Sequence, residues 1–374
     1  MKRHHQRLTT HHGAASRSEK VPVADFENIP IIDVAPLSSP DRSDRQRLAA
    51  EIYGACTQVG FFYIKILQNH GISDELISAL HDAAHRFFAL PEEQKMEYSV
   101  AKSKKYRGYM PVYAEEIPTD DDANDQIEKN ATGALLESFD IGYEILADSQ
   151  RAADDVLPPD TYDLYGDNQW PSDEVLPNFR DTYLLYCTEA LTLCRRLMRS
   201  FALALGLDEG FFDTMMDFPG VTSRILHYPT QPVEGEVRDG LGAHTDYECF
   251  TILSQDDVPA LQVRNARGEW VVAPPIPGTL VVNIADCLSM WTNQTFKSTV
   301  HRVINLTGQE RYSIPFFFGV NYDTTVSVLP NCVSDDRPAC VKPFKAGEFV
   351  RAQLAKTYVA YGEEPSTGTE DVLL

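Results

Sequence analysis

His244 and Asp246 stand two residues apart in LGAHTDYECFTIL (241–253), a stretch otherwise rich in β-branched and aromatic residues. If the stretch is one strand, residues i and i+2 share a face. The imidazole and the carboxylate then project together, while Thr245 and Tyr247 point the other way. With ten histidines in the chain, such a pair is also a common coincidence, compatible with a capped turn or a satisfied buried histidine. His301, which opens the strand-like run HRVINL, is a third ligand candidate. Two imidazoles and one carboxylate can occupy one face of an octahedral metal and leave the opposite face open, an arrangement that suits non-haem iron(II). Zinc is the competing metal, because three protein ligands and a water also satisfy it.

Further along, RYSIPFFF places Arg311 and Ser313 on one strand face. A guanidinium and a hydroxyl aimed inward clamp a carboxylate through charge-assisted hydrogen bonds, and a buried arginine without an anion would be expensive. Tyr228, in LHYP, offers one more hydroxyl. A carboxylate clamp beside an open metal site calls for a molecule with a carboxylate at one end and a chelating group at the other. A 2-oxo dicarboxylate has that shape.

These residues need a frame. IPIIDVAPL (29–37) reads as a short strand, SDRQRLAAEIYGACTQVG as a helix ended by Gly60, and FFYIKI as the next strand. Ser73 caps a helix over DELISALHDAAHRFFAL, on which His81 and His85 lie one turn apart with no third ligand nearby. TDDDANDQ reads as a solvated loop and ESFDIGYEI as a strand. Residues 175–217 carry one long helix and a shorter one. From Ser223 to about Val328 come many short apolar runs punctuated by Gly, Pro, Asn and Asp, the pattern of a β-sandwich or roll. A final amphipathic helix lies in KAGEFVRAQLAKTYVAY.

Composition narrows the function classes. The chain has 374 residues, 43% of them hydrophobic and 24% charged, as in ordinary globular proteins. A net charge of −22 repels nucleic acids and anionic membranes, so an anionic ligand must be held by locally placed arginines. No apolar run is long enough to span a bilayer. The polar, basic start (MKRHHQRLTTHHGAASRSEK) reads as a disordered tail, with a cleaved organellar presequence as the alternative. Seven scattered cysteines without a C-x-x-C motif suggest free thiols in a reducing, cytoplasmic setting, although Cys332 and Cys340 could pair across a loop.

Taken together, His244-x-Asp246, His301 and Arg311-x-Ser313 resemble the iron(II)/2-oxoglutarate-dependent dioxygenase superfamily, in its isopenicillin N synthase-like branch. IPIIDVAPL, GFFYIK…NHGIS, FFALPEEQK, YRGYMP, ESFDIGYE, GDNQWP and RYSIPFFFGVNYD extend the likeness over roughly residues 29–360. The resemblance implies a mainly β fold with flanking helices around a distorted double-stranded β-helix (jelly roll). Within one dioxygenase domain over 29–361, it implies a support region (29–220), a jelly-roll core with the metal site (221–330) and a C-terminal helix (331–361), between tails at 1–28 and 362–374. It also implies Fe(2+) on His244, Asp246 and His301, with 2-oxoglutarate on Arg311, Ser313 and Tyr228 and O2 as the second co-substrate. The implied activity is hydroxylation, desaturation or ring formation on a small metabolite, in secondary metabolism. Asp246 fills the position a halide would need, which disfavours halogenation.

Aromatic-rich segments around the motifs point to a small, neutral to weakly polar substrate and to Tyr109, Tyr113, Phe250, Phe316 and Phe318 as pocket candidates. A monomer with no nucleic-acid or membrane partner is expected. Departures from the family pattern are the insertion Ile66-Leu67-Gln68, Leu226 before the Tyr-Pro pair, and Glu248 and Cys249 after the ligand pair. Three other readings stay open. One is a 2-oxoglutarate-independent oxidase whose Arg-x-Ser grips the substrate itself, the second a zinc hydrolase, the third a metal-sensing module without turnover.

Overall fold

The computed structural model describes residues 24–65, 72–115, 133–232 and 237–358. The basic start, the Ile66-Leu67-Gln68 insertion, TDDDANDQ and the residues after 358 lie outside them.

The strands are β1 (Ile31–Asp33), β2 (Phe61–Lys65), β3 (Gly108–Met110), β4 (Glu137–Gly142), β5 (Val221–Tyr228), β6 (Leu241–His244) and β7 (Phe250–Gln255). They continue with β8 (Leu261–Arg264), β9 (Trp270–Val272), β10 (Thr279–Ile284), β11 (His301–Val303), β12 (Arg311–Phe318), β13 (Thr325–Val326) and β14 (Phe344–Lys345). The helices are α1 (Arg42–Gln58), α2 (Asp74–Phe88), α3 (Glu92–Lys95), α4 (Phe179–Ala204), α5 (Asp286–Trp291) and α6 (Ala346–Thr357).

Eight strands form a major sheet in the order β1-β2-β10-β7-β12-β5-β4-β3, and four form a minor sheet, β6-β11-β8-β9. All pairings in these sheets are antiparallel except β1 with β2. The expected jelly roll, mainly β with flanking helices, is the observed architecture. Strand alternation divides the core in two. Ile252, Ile314, Phe316 and Phe318 pack with residues of α1, α2 and α4 on the outer face of the major sheet. Phe61, Tyr63, Leu226, Val263, Val281 and Val303 pack between the two sheets. The major sheet is therefore covered on both faces, which is why β4 is buried at every position rather than at alternate ones.

Local signals set several boundaries. The Ser73 side chain accepts a hydrogen bond from the Leu76 amide and caps α2. Gly60, at φ 75°, makes the left-handed turn between α1 and β2. Its α-hydrogen faces the Lys297 carbonyl, with which a β-carbon would collide. All seven cysteines are free, Cys332 and Cys340 included. Among the described residues no helix is long and apolar enough to cross a membrane.

Candidate metal and co-substrate site

A cavity of about 1070 Å³, counting its open mouth, lies between the two sheets. His244, at the end of β6, faces His301, at the start of β11, as a direct antiparallel partner. Their ring centroids are 4.2 Å apart. Asp246 arrives from elsewhere than expected: β6 stops at His244, and 245–249 form a loop before β7. The stretch 241–253 is thus two strands and a connection, so strand alternation does not set the facing of 245–247. Thr245 and Tyr247 line the cavity as well.

Backbone hydrogen bonds pin this loop. The Asp286 amide donates to the Asp246 carbonyl (2.9 Å), the Cys287 amide to those of Tyr247 and Glu248 (3.2 and 3.1 Å), and the Cys249 amide to that of Phe318 (3.0 Å).

The result is a three-donor cluster. His244 Nε2 and His301 Nε2 each lie 3.6 Å from Asp246 Oδ1, and the three ligand atoms all fall within 4.8 Å of one another. Each histidine's other ring nitrogen faces a backbone carbonyl: His244 Nδ1 that of Gly242 at 2.7 Å, His301 Nδ1 that of Thr299 at 3.1 Å. Donation there leaves both Nε2 lone pairs aimed at the centre. Asp246 Oδ2 accepts from Asn283 Nδ2 (2.6 Å) and from the Thr251 hydroxyl, which turns Oδ1 inward.

The electrostatics match an ion-binding site. Burial, then the neighbouring His301, push His244 down to about 4. Burial alone would raise Asp246, but His301, His244 and the Thr251 hydroxyl hold it below the ordinary carboxylate range. Burial opposes charge on His301, yet Asp246 raises it. Asp246 thus favours positive charge at the centre of the cluster, where a cation would compete with a proton. Two nitrogens and one carboxylate oxygen on one side fit Fe(II) with an open face. Because Asn283 orients Asp246, Asn283→Ala should lower iron affinity by about 10–100-fold without unfolding the protein. Iron titration monitored alongside circular dichroism checks this.

Arg311, Ser313 and Tyr228 stand in the same cavity. Arg311 is wholly buried and pairs with no carboxylate among the described residues. Nη1 donates to Ser313 Oγ (3.1 Å) and Nη2 to Gln255 Oε1 (3.2 Å). Nε has no partner. The guanidinium carbon sits 4.9 Å from the Tyr228 ring centroid. A buried guanidinium with no carboxylate partner among the described residues and a spare N–H has the donors to take an anion.

The five aromatic pocket candidates do not line the cavity. Because Arg311 and Ser313 face inward, Pro315 and Phe317 do too, and these line it. Phe316 and Phe318 point outward, against Tyr186 and Phe250. Phe250 is likewise on the helix side, edge-on to Phe201. Tyr109 donates to Glu137 (2.6 Å) in a separate buried cluster, and Tyr113 is 43% exposed. His81 contacts the Ser254 hydroxyl at 2.8 Å and His85 packs on Tyr312. Sequence reasoning missed Thr251, Gln255 and Asn283, although alternation along FTILSQ and TLVVNI marks all three. It also missed the Glu115–Arg224 pair on the cavity wall (Nη2–Oε2 2.7 Å). Glu248, a noted departure, lines the cavity too; burial pushes its carboxyl up to about 8 against the pull of Arg107.

Comparison with known proteins agrees with this geometry. Residues 29–173 match the N-terminal model of the non-haem dioxygenase in morphine synthesis, and 221–320 match the 2OG-Fe(II) oxygenase superfamily. The chain is 35% identical over 335 residues to the 2-oxoglutarate-Fe(II) type oxidoreductase hxnY of Emericella nidulans, covering 88% of this chain and 90% of that protein. It is 34% identical over 321 residues to a homoarginine-6-hydroxylase of Oryza sativa, covering 83% and 90% respectively. A full-length Neurospora crassa protein crystallised in complex with alpha-KG is similar in structure, with a TM-score of 0.71 and 28% identity, over 87% of this chain and 96% of that one.

Proposed function

The chain belongs to the 2OG-Fe(II) oxygenase superfamily, and on that premise we propose that His244, Asp246 and His301 hold its iron while Arg311 and Ser313 hold 2-oxoglutarate. The reaction is oxidation of a small molecule, in the setting of secondary metabolism. Hydroxylation is the outcome we assign, in line with the relative named a homoarginine-6-hydroxylase. The observation that carries this reading is the wholly buried Arg311, unpaired with any described carboxylate and sharing a cavity with the three-donor cluster.

Bound Fe(II), with 2-oxoglutarate and dioxygen, supplies the oxidising power for a C–H bond and yields succinate and CO2. The protein's own residues fix where that power is delivered. Thr251 and Asn283 hold Asp246 so that one oxygen faces both imidazoles. The guanidinium of Arg311 and the Ser313 hydroxyl receive the far carboxylate of the oxo acid, and Gln255 and Tyr228 keep that guanidinium in place. Leu226, Leu241, Leu253, Leu261 and Val303 give the intervening walls an apolar surface that excludes water.

Succinate formation during aerobic turnover tests the reading and separates it from the 2-oxoglutarate-independent alternative. Succinate should form in proportion to oxidised substrate and only when iron is supplied. Oxidation without succinate would assign Arg311 to the substrate's own carboxylate instead.

A further inference from the structure

At the end of the cavity remote from Arg311, Glu248 presents a carboxylate with no part in holding iron or oxo acid. Phe317 lies six residues beyond Arg311 on β12, roughly 20 Å along the strand, and Gly319 follows it. Glu248 sits over Gly319: a β-carbon there would collide with Glu248 Oε2. The backbone of Gly319 does not require glycine, since its φ is not in the left-handed region. The missing side chain is the space the carboxylate occupies.

Glu248 is 6% exposed and lines the cavity. Its carboxylate accepts no hydrogen bond and forms no ion pair among the described residues. The cation that acts on it, Arg107, is turned toward the carbonyls of Leu164 and Tyr106. Arg224, the other cation on this part of the wall, is shared by Glu115 and Asp140. Three carboxyl groups thus share two guanidinium groups, and Glu248 is the one bonded to neither. A buried carboxyl group without a hydrogen-bond partner is uncommon in a folded protein, so a ligand that offers it donors is a physical reason to keep it there. Phe317 and Tyr247 place aromatic rings on the same cavity wall, which suits an organic cation.

We infer that the substrate is an organic cation whose ammonium or guanidinium group is received by Glu248, with the carbon to be oxidised on its uncharged portion nearer the three-donor cluster. This deepens the oxygenase reading and rests on it. It also changes the charge expected of the substrate, since aromatic segments alone point to a neutral or weakly polar molecule.

The test uses two probes of nearly equal shape, n-butylguanidinium and the neutral n-butylurea. Calorimetry on the full chain, anaerobically with Fe(II) and 2-oxoglutarate and again without iron, measures their affinities. The wild-type protein should prefer the cation by at least tenfold, and Glu248→Gln should erase the preference without lowering the melting temperature. No preference in the wild-type protein, or one that survives in Glu248→Gln, overturns the assignment. The visible charge-transfer absorption of the iron–oxo acid chelate is read in the same samples. An intact band with no cation preference sinks this inference alone, whereas a missing band sinks the oxygenase site itself.

Discussion

Asp246→Ala is expected to lose iron binding and substrate oxidation together, while circular dichroism and cooperative melting are retained. Asp246 is the one anionic ligand of the cluster, and both imidazoles face its Oδ1 at 3.6 Å. Without it, two neutral imidazoles remain to hold a dication in a buried cavity. The loss of affinity should exceed the roughly 100-fold upper range for removing an outer partner of a metal ligand. The fold should survive, because the packing of α1, α2 and α4 lies on the opposite face of the major sheet. Leaving the Thr251 and Asn283 donors without their acceptor costs about 1–3 kcal/mol for each group, a destabilisation visible as a lower melting temperature. Retained iron binding and turnover in this variant would remove Asp246 from the ligand set.

The second large effect belongs to Arg311. Arg311→Ala should raise the 2-oxoglutarate concentration needed for half-maximal turnover by about 30-fold or more, as when one partner of a buried hydrogen-bonded charge pair is truncated. Iron affinity should change little. Arg311→Lys should recover only part of the loss, because an ammonium cannot reproduce the guanidinium's two-pronged grip. No carboxylate among the described residues pairs with Arg311, so its removal strands no buried negative charge and folding should persist. Thermal shifts measured against 2-oxoglutarate report the same affinity without turnover, since a ligand that binds only the native state stabilises it by mass action. An unchanged 2-oxoglutarate requirement would rule out the clamp.

Much of this site is legible in the sequence because strand alternation carries side-chain direction. Arg311 and Ser313 share a face by parity, and β12 pairs with β5 so that Arg311 lies opposite Tyr228. The same parity, carried two and four residues further, selects Pro315 and Phe317 and rejects Phe316 and Phe318; choosing the latter pair set alternation aside. Asp246 is a different case. It reaches the cluster through a loop fixed by amides of α5, and no periodicity in the sequence encodes that. The fold class follows from the many short apolar runs after Ser223. Division into two sheets does not, because β6 and β7 are adjacent in sequence yet belong to opposite sheets. Glu248 shows the limit most clearly. Its residue type is visible in the sequence, but its lack of a partner is a property of the packed surroundings.

Anaerobic titration of the purified protein with Fe(II) and 2-oxoglutarate, followed by the visible absorption of their chelate, reads the metal and the oxo acid in one experiment. One iron and one oxo acid should bind per chain, with the absorption lost in Asp246→Ala and moved to far higher 2-oxoglutarate in Arg311→Ala. A protein that takes up no iron, or that binds the oxo acid equally well without Arg311, would contradict that expectation.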